Sequence, residues 1–217
     1  MATKTRARPY HHGDLKRALL EASIELIREE GIDALTVAEI GRRVGVSSAA
    51  PYKHFADRQA LLCALATEGN RRLGEAIVAA VGGTPEPLEA FRRSGIAYVQ
   101  WAAENPALYR IATDPAYIDY ASTPPGAEAP EVLKGSMDTF WSDLAELVRS
   151  GSALPAAHPL MEQLRGRALA QGLASLFVSG AFASLGIATS DAERLARAVT
   201  GEDVPATSRR GKASRTR

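Results

Sequence analysis

Basic side chains are concentrated in one short stretch of the chain, residues 41–58. Four of them oppose a single acid, Asp57, within that stretch; they are Arg42, Arg43, Lys53 and Arg58. Tyr52 and His54 flank Lys53 and add polar tips of the kind that bind phosphate. The residue types therefore indicate a phosphate-binding surface.

The surrounding sequence predicts two short helices joined by a tight turn. Thr36 is a capping residue before an apolar i,i+4 step, and Gly45 favours the left-handed turn that ends a helix. Ser47 or Ser48 then offers a new N-cap. The small side chains of Ser48, Ala49 and Ala50 allow a close approach to a groove. This spacing is typical of a DNA-binding helix-turn-helix.

Several positions follow a pattern known from one family. They are Thr36-Val37, Ile40, Gly45-Val46-Ser47, Tyr52-x-His54-Phe55 and Leu61-Leu62. With them, about residues 11–65 resemble the N-terminal domain of tetracycline-repressor (TetR) family regulators. The resemblance implies an all-α fold and a double-stranded DNA operator as partner. Predicted phosphate contacts are Thr36, Arg43, Tyr52, Lys53, His54 and Arg58, and Ser47, Ser48 and Ala49 are predicted to face bases.

Pro51 departs from this pattern, in which leucine is commoner. If Ser48 is the cap, Pro51 lies in the first turn, where its missing N–H costs nothing; if Ser47 is the cap, one hydrogen bond is lost. We therefore expect a short, slightly re-aimed recognition helix whose specificity rests partly on DNA shape. Phe55 is predicted to be a core aromatic, whereas Tyr52 could be either a core residue or a phosphate contact.

Charge is distributed unevenly along the chain. The net charge of the 217 residues is +1, but residues 1–20 carry +4 and residues 204–217 carry +5, which leaves −8 between them. Basic ends on an acidic body predict one localised DNA face. The alternative is a weakly specific architectural DNA-binding protein whose ends dominate, and deleting residues 1–9 and 204–217 would distinguish the two.

The sequence contains no convincing enzyme or metal motif. It has neither a glycine-rich phosphate loop nor a Gly-x-Ser-x-Gly turn, and its four histidines have no cluster of further ligands around them. We expect no enzymatic activity, no metal and no cofactor. A single cysteine, Cys63, suits a reducing cytoplasm, and no apolar run reaches the ~18–20 residues of a membrane span.

Apolar periodicity predicts helices along the remainder of the chain. A helix-1 cap is expected at Asp14, and Leu15, Leu19, Ala22 and Leu26 form one apolar stripe on that helix. Asp57 is predicted to cap the helix that begins at Arg58. The segments 131–149 and 160–183 are predicted to form a four-helix homodimer interface, because small residues permit close packing and a palindromic operator needs two copies; burial within one subunit is the alternative. The predicted domains are a flexible basic arm (1–12), a helix-turn-helix domain (13–58), a helical effector-binding and dimerisation domain (59–203) and a disordered basic tail (204–217).

Aromatic residues are spread through the predicted body. The family resemblance implies an effector site there, for which a small apolar or aromatic ligand is expected. The predicted lining residues are Tyr98, Trp101, Trp141 and Phe177. For any one of these aromatics, a position in the core is the favoured alternative, and a small-molecule-binding helical protein without DNA function remains a further alternative. Residues 170–176 also resemble a Trp-His-Gly-type C-terminal subclass, with departures at Ala170 and Gln171.

Overall fold

A computed structural model describes residues 12–84, 86–118, 131–151, 155 and 158–200. This part of the chain is all-α and contains no β-strand, as predicted. Its α-helices are α1 (His12–Glu30), α2 (Val37–Val44), α3 (Arg58–Val81), α4 (Pro87–Glu104), α5 (Pro106–Thr113), α6 (Glu131–Ser150), α7 (Pro159–Val178), α8 (Ala181–Ser184) and α9 (Ala192–Thr200). The basic tail and residues 1–11 of the predicted arm lie outside the described residues.

The N-terminal unit, which we call the head (residues 12–65), is built on the apolar stripe of α1. Leu19 and Leu26 are fully buried, as the helical spacing predicts. They pack in one apolar cluster with Ile40 of α2 and Leu62 of α3. The predicted cap at Asp14 is wrong, because α1 begins two residues earlier, at His12. Helix ends are set by local hydrogen bonding and are only weakly determined by apolar spacing.

Caps and a stop fix α2 and the start of α3 as the sequence predicts. The Thr36 hydroxyl accepts a hydrogen bond from the Glu39 amide at 3.1 Å, and the Asp57 carboxylate accepts one from the Ala60 amide at 2.8 Å. Gly45 has a φ of 76° and ends α2 in the left-handed conformation. A side chain is disfavoured there, which explains the glycine.

The second helix of the motif differs from the prediction. Residues 47–54, the recognition segment, form consecutive turns with a short 3-10 helix at Pro51–Lys53. The Ala50 amide donates to the Ser47 carbonyl at 3.0 Å, and the His54 amide donates to the Pro51 carbonyl at 2.9 Å. Pro51 has no N–H with which to make an α-helical bond to Ser47, so the tighter turn takes that carbonyl instead.

Behind the head, α4 packs against α3, α7 and α9, and α5 packs against α3. Trp101, Leu108 and Ala174 belong to one buried cluster of this body. The long helix predicted over residues 160–183 is interrupted, because α7 ends at Val178 and Gly180 adopts a φ of 80°. A non-glycine residue would be strained at that angle, so the turn before α8 depends on this glycine.

Described residues of α6 and α7 leave apolar side chains exposed. Val148 is 74% exposed, Leu169 49% and Leu176 42%. On α7, Ala170 and Ala174 lie on a buried side of the helix, whereas Leu169 and Leu176 lie on an exposed side. Two sides of α7 are therefore distinct, one facing the body and one facing outward. Among the described helices, none combines the length and the apolar character that a membrane span requires.

Candidate nucleic-acid interface

Two buried residues attach the recognition segment to the head: Pro51 within the segment and Phe55 directly after it. Most other residues of the segment are exposed. Pro51 is buried and Phe55 is only 3% exposed. Phe55 is therefore a core aromatic, as predicted. Tyr52 is 50% exposed, which places it outside the core and leaves its phosphate role as a prediction. The remaining exposed residues of the segment are Ser47, Ser48, Ala49 and Lys53.

His54 and Thr36 each make a contact within the head. His54 is half-buried, and its ring lies 6.3 Å from the Phe55 ring in a tilted arrangement. Thr36 is exposed, but its hydroxyl oxygen already accepts the capping hydrogen bond of α2. A phosphate contact from Thr36 would therefore use the hydroxyl proton, which leaves the cap intact.

Arg43 is tied into the head by carboxylates. Its guanidinium lies 2.7 Å from Glu29 and 3.3 Å from Glu39, and it also pairs with Glu30. The hydrogen bond with Glu29 raises the pKa of Arg43. Only 22% of the side chain is exposed. Arg43 therefore joins the end of α1 to α2, and its predicted phosphate contact would require it to leave these acids.

Arg58 is likewise occupied within the head. Its Nε donates to the Leu35 carbonyl at 3.0 Å, and its Nη2 donates to the Ile32 carbonyl at 2.8 Å. These bonds connect the start of α3 to the turn between α1 and α2. Of the predicted phosphate ligands, Tyr52, Lys53 and His54 thus lie together on the recognition segment. Arg43 and Arg58 instead bind groups inside the head.

A set of ion pairs that sequence reasoning missed joins the head to the rest of α3. We call it the clasp, residues Glu21, Glu68, Arg71 and Arg72. Glu68 lies 2.7 Å from both Arg71 and Arg72, and Arg72 also pairs with Glu21 of α1. The i,i+3 and i,i+4 spacing on α3 could have indicated the first two pairs. The pair with Glu21 spans 51 positions and has no local signal.

Three clasp residues, Glu21, Glu68 and Arg71, line an open cleft of about 720 Å³ between α1, His54 and α3. Lys16, Arg17 and Arg71 contribute positive charge to its walls, and Glu21 and Glu68 contribute negative charge. The cleft lies beside the recognition segment, since His54 belongs to both. Its charges are largely balanced, so it differs from the exposed basic surface expected of a phosphate track.

The clasp makes stability dependent on pH. Hydrogen bonds from Arg71 lower the pKa of Glu68 to about 2, below the ordinary 4.5. A folded-state pKa below the unfolded value stabilises the protein above pH ~4.5, and the contribution disappears as pH falls toward 2. We expect Glu68→Gln to lower the free energy of unfolding by ~1–2 kcal/mol at pH 7, after allowing for solvent screening, and by much less near pH 2.5.

Urea unfolding at the two pH values measures this difference. The matched control is Glu25→Gln, which changes an exposed glutamate of α1 and should leave stability nearly unchanged at both pH values. An equal loss from Glu68→Gln at pH 7 and pH 2.5 would contradict an ionic origin for the clasp.

Two of the four predicted effector-lining residues lie together in the body. Tyr98 and Trp101 are on α4 and pack in the same apolar cluster as Tyr109. The Tyr98 and Tyr109 hydroxyls are 3.0 Å apart, and the Gln171 amide donates to Tyr109 at 2.8 Å. Burial raises the pKa of Tyr98 well above its ordinary value, so its hydroxyl stays protonated and able to donate.

The other two predicted residues lie outside this cluster. Phe177 packs edge-on against Phe182 with ring centres 4.7 Å apart, and it borders a neighbouring cluster that Tyr98 also contacts. Trp141 lies on α6 against Phe140, with ring centres 5.1 Å apart, and is 38% exposed. The structure therefore does not place the four aromatics around one cavity. A polar residue inside an apolar helix, Gln171, was the signal that could have directed attention to the Tyr98–Tyr109 pair.

An open cleft of about 520 Å³ borders this hydrogen-bonded group, between α5 and α7. It is lined by Tyr109, Arg110, Thr113, Asp114, Gln171, Ser175, Val178 and Ser179. In the part of the chain that the structure describes, no group of three or more His, Cys, Asp or Glu side chains is arranged to hold a metal ion.

Comparison with known proteins agrees with this architecture. The family model described as "Bacterial regulatory proteins, tetR family" matches residues 19–65, and the model described as "Tetracyclin repressor-like, C-terminal domain" matches residues 91–201. The second match covers just over half of the chain. The Trp-His-Gly-type subclass stays a prediction, since the matching C-terminal model is described only as tetracycline-repressor-like.

Individual relatives match over shorter spans. The HTH-type transcriptional regulator BetI of Brucella anthropi is 34% identical over 97 residues, which make up 45% of this chain and 49% of that protein. The tetracycline repressor protein class D of Escherichia coli is 36% identical over 53 residues, 24% of each protein. The chain thus spans at most about half the length of these curated relatives.

A solved structure covers more of the fold. A protein of unknown function from Rhodococcus sp. RHA1 superposes with a TM-score of 0.63 at 29% identity, covering 89% of this chain and 97% of that one. The matching families and the named relatives are transcriptional regulators rather than enzymes, which agrees with the prediction from the sequence. On these matches and on the geometry of its helix-turn-helix, the chain belongs to the TetR family of bacterial regulatory proteins.

Proposed function

We propose that the protein is a homodimeric repressor that leaves a palindromic operator when a small ligand binds to its body. The observation that carries the proposal is the recognition segment, which is anchored by buried Pro51 and Phe55 and exposes small and polar side chains. A surface of this kind can approach a groove closely, with Lys53 and Tyr52 placed to contact phosphates.

Dimer formation through α6 and α7 is supported by their exposed side chains. Trp141, Val148, Leu169 and Leu176 expose apolar surface on two helices that pack against each other. Gly172 is exposed on α7 as well, and its small size would let a second copy approach. A two-fold axis at this face buries the same surface on both subunits.

The cleft between α5 and α7 is our proposed effector site. It combines the edge of the Tyr98–Tyr109–Gln171 group with a cation at Arg110 and an acid at Asp114. Most of its lining residues are polar or charged, with Tyr109 and Val178 as the apolar part, so the cleft would bind a ligand mainly through the ligand's polar groups. We propose a small aromatic ligand with at least one polar group. Tyr109 would be its nearest aromatic contact, and the predicted residues Tyr98 and Trp101 pack in the same cluster as Tyr109.

Helix α3 offers the physical route from this site to the head. It begins in the head core at Leu61 and Leu62 and continues past the clasp to pack on α4 and α5. A ligand that binds more tightly to one relative position of these helices shifts the population toward it. Release of DNA then requires that the favoured state separate the two recognition segments by a distance that no longer matches the operator.

Selection from a random duplex DNA library tests the proposed function. The full-length protein should enrich an inverted repeat whose half-sites lie one helical turn, ~34–36 Å, or a multiple apart. Enrichment without any sequence preference would favour the architectural alternative. Failure to retain any duplex would favour a small-molecule-binding protein without DNA function.

Lys53→Ala provides a sharper test of the phosphate contact. Each neutralised phosphate contributes about −0.9 to the slope of log affinity against log salt concentration, so losing Lys53 should make the slope shallower by ~1. The measurement is fluorescence anisotropy on the selected duplex from low to moderate salt. Arg194→Ala on α9 is the control, since it removes an exposed cation far along the chain and should leave the slope unchanged. An unchanged slope for Lys53→Ala would remove Lys53 from the interface.

A further inference from the structure

Gly41 of α2 and Pro51 of the recognition segment are in unusually close contact. Both residues are buried. A Cβ atom built on Gly41 would lie 2.5 Å from Pro51 Cγ and 3.4 Å from its Cδ. The obstacle is a closed ring within the packed interior, so it cannot rotate away as the end of a long side chain could. Any side chain at position 41 must therefore displace the recognition segment.

The backbone conformation at position 41 does not require a glycine. Gly41 lies within the regular part of α2, between Val37 and Val44, and its backbone does not have the positive φ that other glycines of the chain require. Glycine ordinarily weakens a helix relative to alanine. The close approach of Pro51 is thus the one feature of its surroundings that accounts for a glycine at this position.

We infer that Gly41 is a positioning residue for DNA reading, because it admits the Pro51 ring and so sets where the recognition segment lies on the head. This inference rests on the proposed function. The position of the recognition segment would also contribute to the specificity for DNA sequence. The exposed residues before Pro51 are Ser47, Ser48 and Ala49, whose short side chains have little reach. With short side chains, hydrogen bonds and methyl contacts to base edges depend on the depth of the backbone in the groove.

Hydrogen bonding links the position of Pro51 directly to the rest of the segment. The Pro51 carbonyl accepts from the His54 amide at 2.9 Å and from the Phe55 amide at 3.0 Å. Gly41 is linked to the preceding turn as well, because its carbonyl accepts from the Gly45 and Val46 amides at 3.1 Å each. Movement of the proline ring would consequently be passed to the residues that follow it. The adjoining Ala50, whose amide donates to the Ser47 carbonyl at 3.0 Å, would pass the movement to the residues before it.

The test compares three variants of the full-length chain: Gly41→Ala, Pro51→Ala and the double variant. Gly41→Ala should lower affinity for the duplex selected by the wild type by about tenfold or more, since relief of a 2.5 Å contact needs a shift of about 1 Å. The double variant should recover most of that affinity, because replacing the proline ring with a methyl group leaves room for the new Cβ. Anisotropy titration measures all three.

Sequence preference is the second readout, and a merely structural role would not move it. The random-duplex selection repeated with Gly41→Ala should return a flattened or different half-site, while the double variant should return a half-site close to the wild-type one. Thermal melting is recorded in parallel. A simple gain of helix propensity would raise the melting temperature of Gly41→Ala, whereas the clash predicts a lower one.

The outcomes separate this inference from the proposed function. If the wild type enriches no motif, the proposed function fails. If the wild type enriches a motif and Gly41→Ala binds it with the same affinity and preference, the positioning role of Gly41 is wrong while the proposed function stands. A double variant no better than Gly41→Ala would also overturn the pairing. If Gly41→Ala does not fold, the folded double variant still decides, because the inference requires it to fold and to bind.

Discussion

Replacing Leu176 with glutamate should convert the proposed dimer to monomers and lower affinity for a two-half-site operator by about 100-fold or more. Leu176 is 42% exposed on the outward side of α7. If this side meets its copy across a two-fold axis, the substitution places two carboxylates near each other in an apolar interface. Burying an unpaired charge is costly, and the symmetry doubles the cost.

Operator affinity should fall because a monomer lacks the second recognition segment. In a dimer, binding of one recognition segment raises the local concentration of the other at its half-site, a gain of roughly 10²–10⁴. A monomer retains only the contacts of one segment. Analytical ultracentrifugation measures the assembly state, and anisotropy on the selected duplex measures the affinity.

Leu88→Glu is the matched control for this experiment. Leu88 is 50% exposed and lies near the N-terminus of α4, where an added carboxylate is favoured by the helix dipole. It makes the same chemical change on another face of the body, so this variant should remain dimeric. A Leu176→Glu protein that sediments as a dimer would move the interface away from α7.

Replacing Phe55 with alanine should lower the free energy of unfolding by about 3–5 kcal/mol, the usual range for a buried phenylalanine. Phe55 is 3% exposed and packs in the head core with Leu35, Ile40 and Leu62. Since whole domains are stable by only ~5–15 kcal/mol, this loss is a large fraction of the total. Urea unfolding followed by circular dichroism measures it.

Tyr52→Ala is the natural comparison, because it truncates another aromatic three positions away. Tyr52 is 50% exposed, so its truncation should change stability by no more than about 0.5 kcal/mol. DNA affinity, in contrast, should fall in Tyr52→Ala at unchanged stability if the tyrosine contacts phosphate. Equal destabilisation by the two substitutions would contradict the division between a core aromatic and a surface aromatic.

Local chemistry explains the part of the architecture that could be predicted. The caps at Thr36 and Asp57 and the left-handed Gly45 each involve residues no more than four positions apart, and all three are present as expected. The apolar stripe of α1 is a similar short-range pattern. These features depend on backbone hydrogen bonding and side-chain periodicity, both of which a single segment contains.

Prediction was weaker for the candidate site because the partners of its charged residues are distant in the chain. Arg43 reaches Glu29 across 14 positions, and Arg58 reaches the Ile32 carbonyl across 26. The local sequence around either arginine does not show whether the side chain binds a group inside the protein or a DNA phosphate. The aromatics of the body show the same difficulty, since their side chains are equally suited to a core and to a ligand site.

The helical class of this protein, the caps at Thr36 and Asp57, the turn at Gly45 and the helix-turn-helix segment could be predicted from its sequence. Those properties follow from interactions within a few residues. The three-dimensional structure was needed to show that residues 47–54 form turns rather than an α-helix, that Arg43 and Arg58 make contacts inside the head, and that Gly41 makes room for Pro51. The arginine contacts and the Gly41–Pro51 fit depend on close packing between separate segments of the chain, where a shift of about one ångström changes which groups can touch.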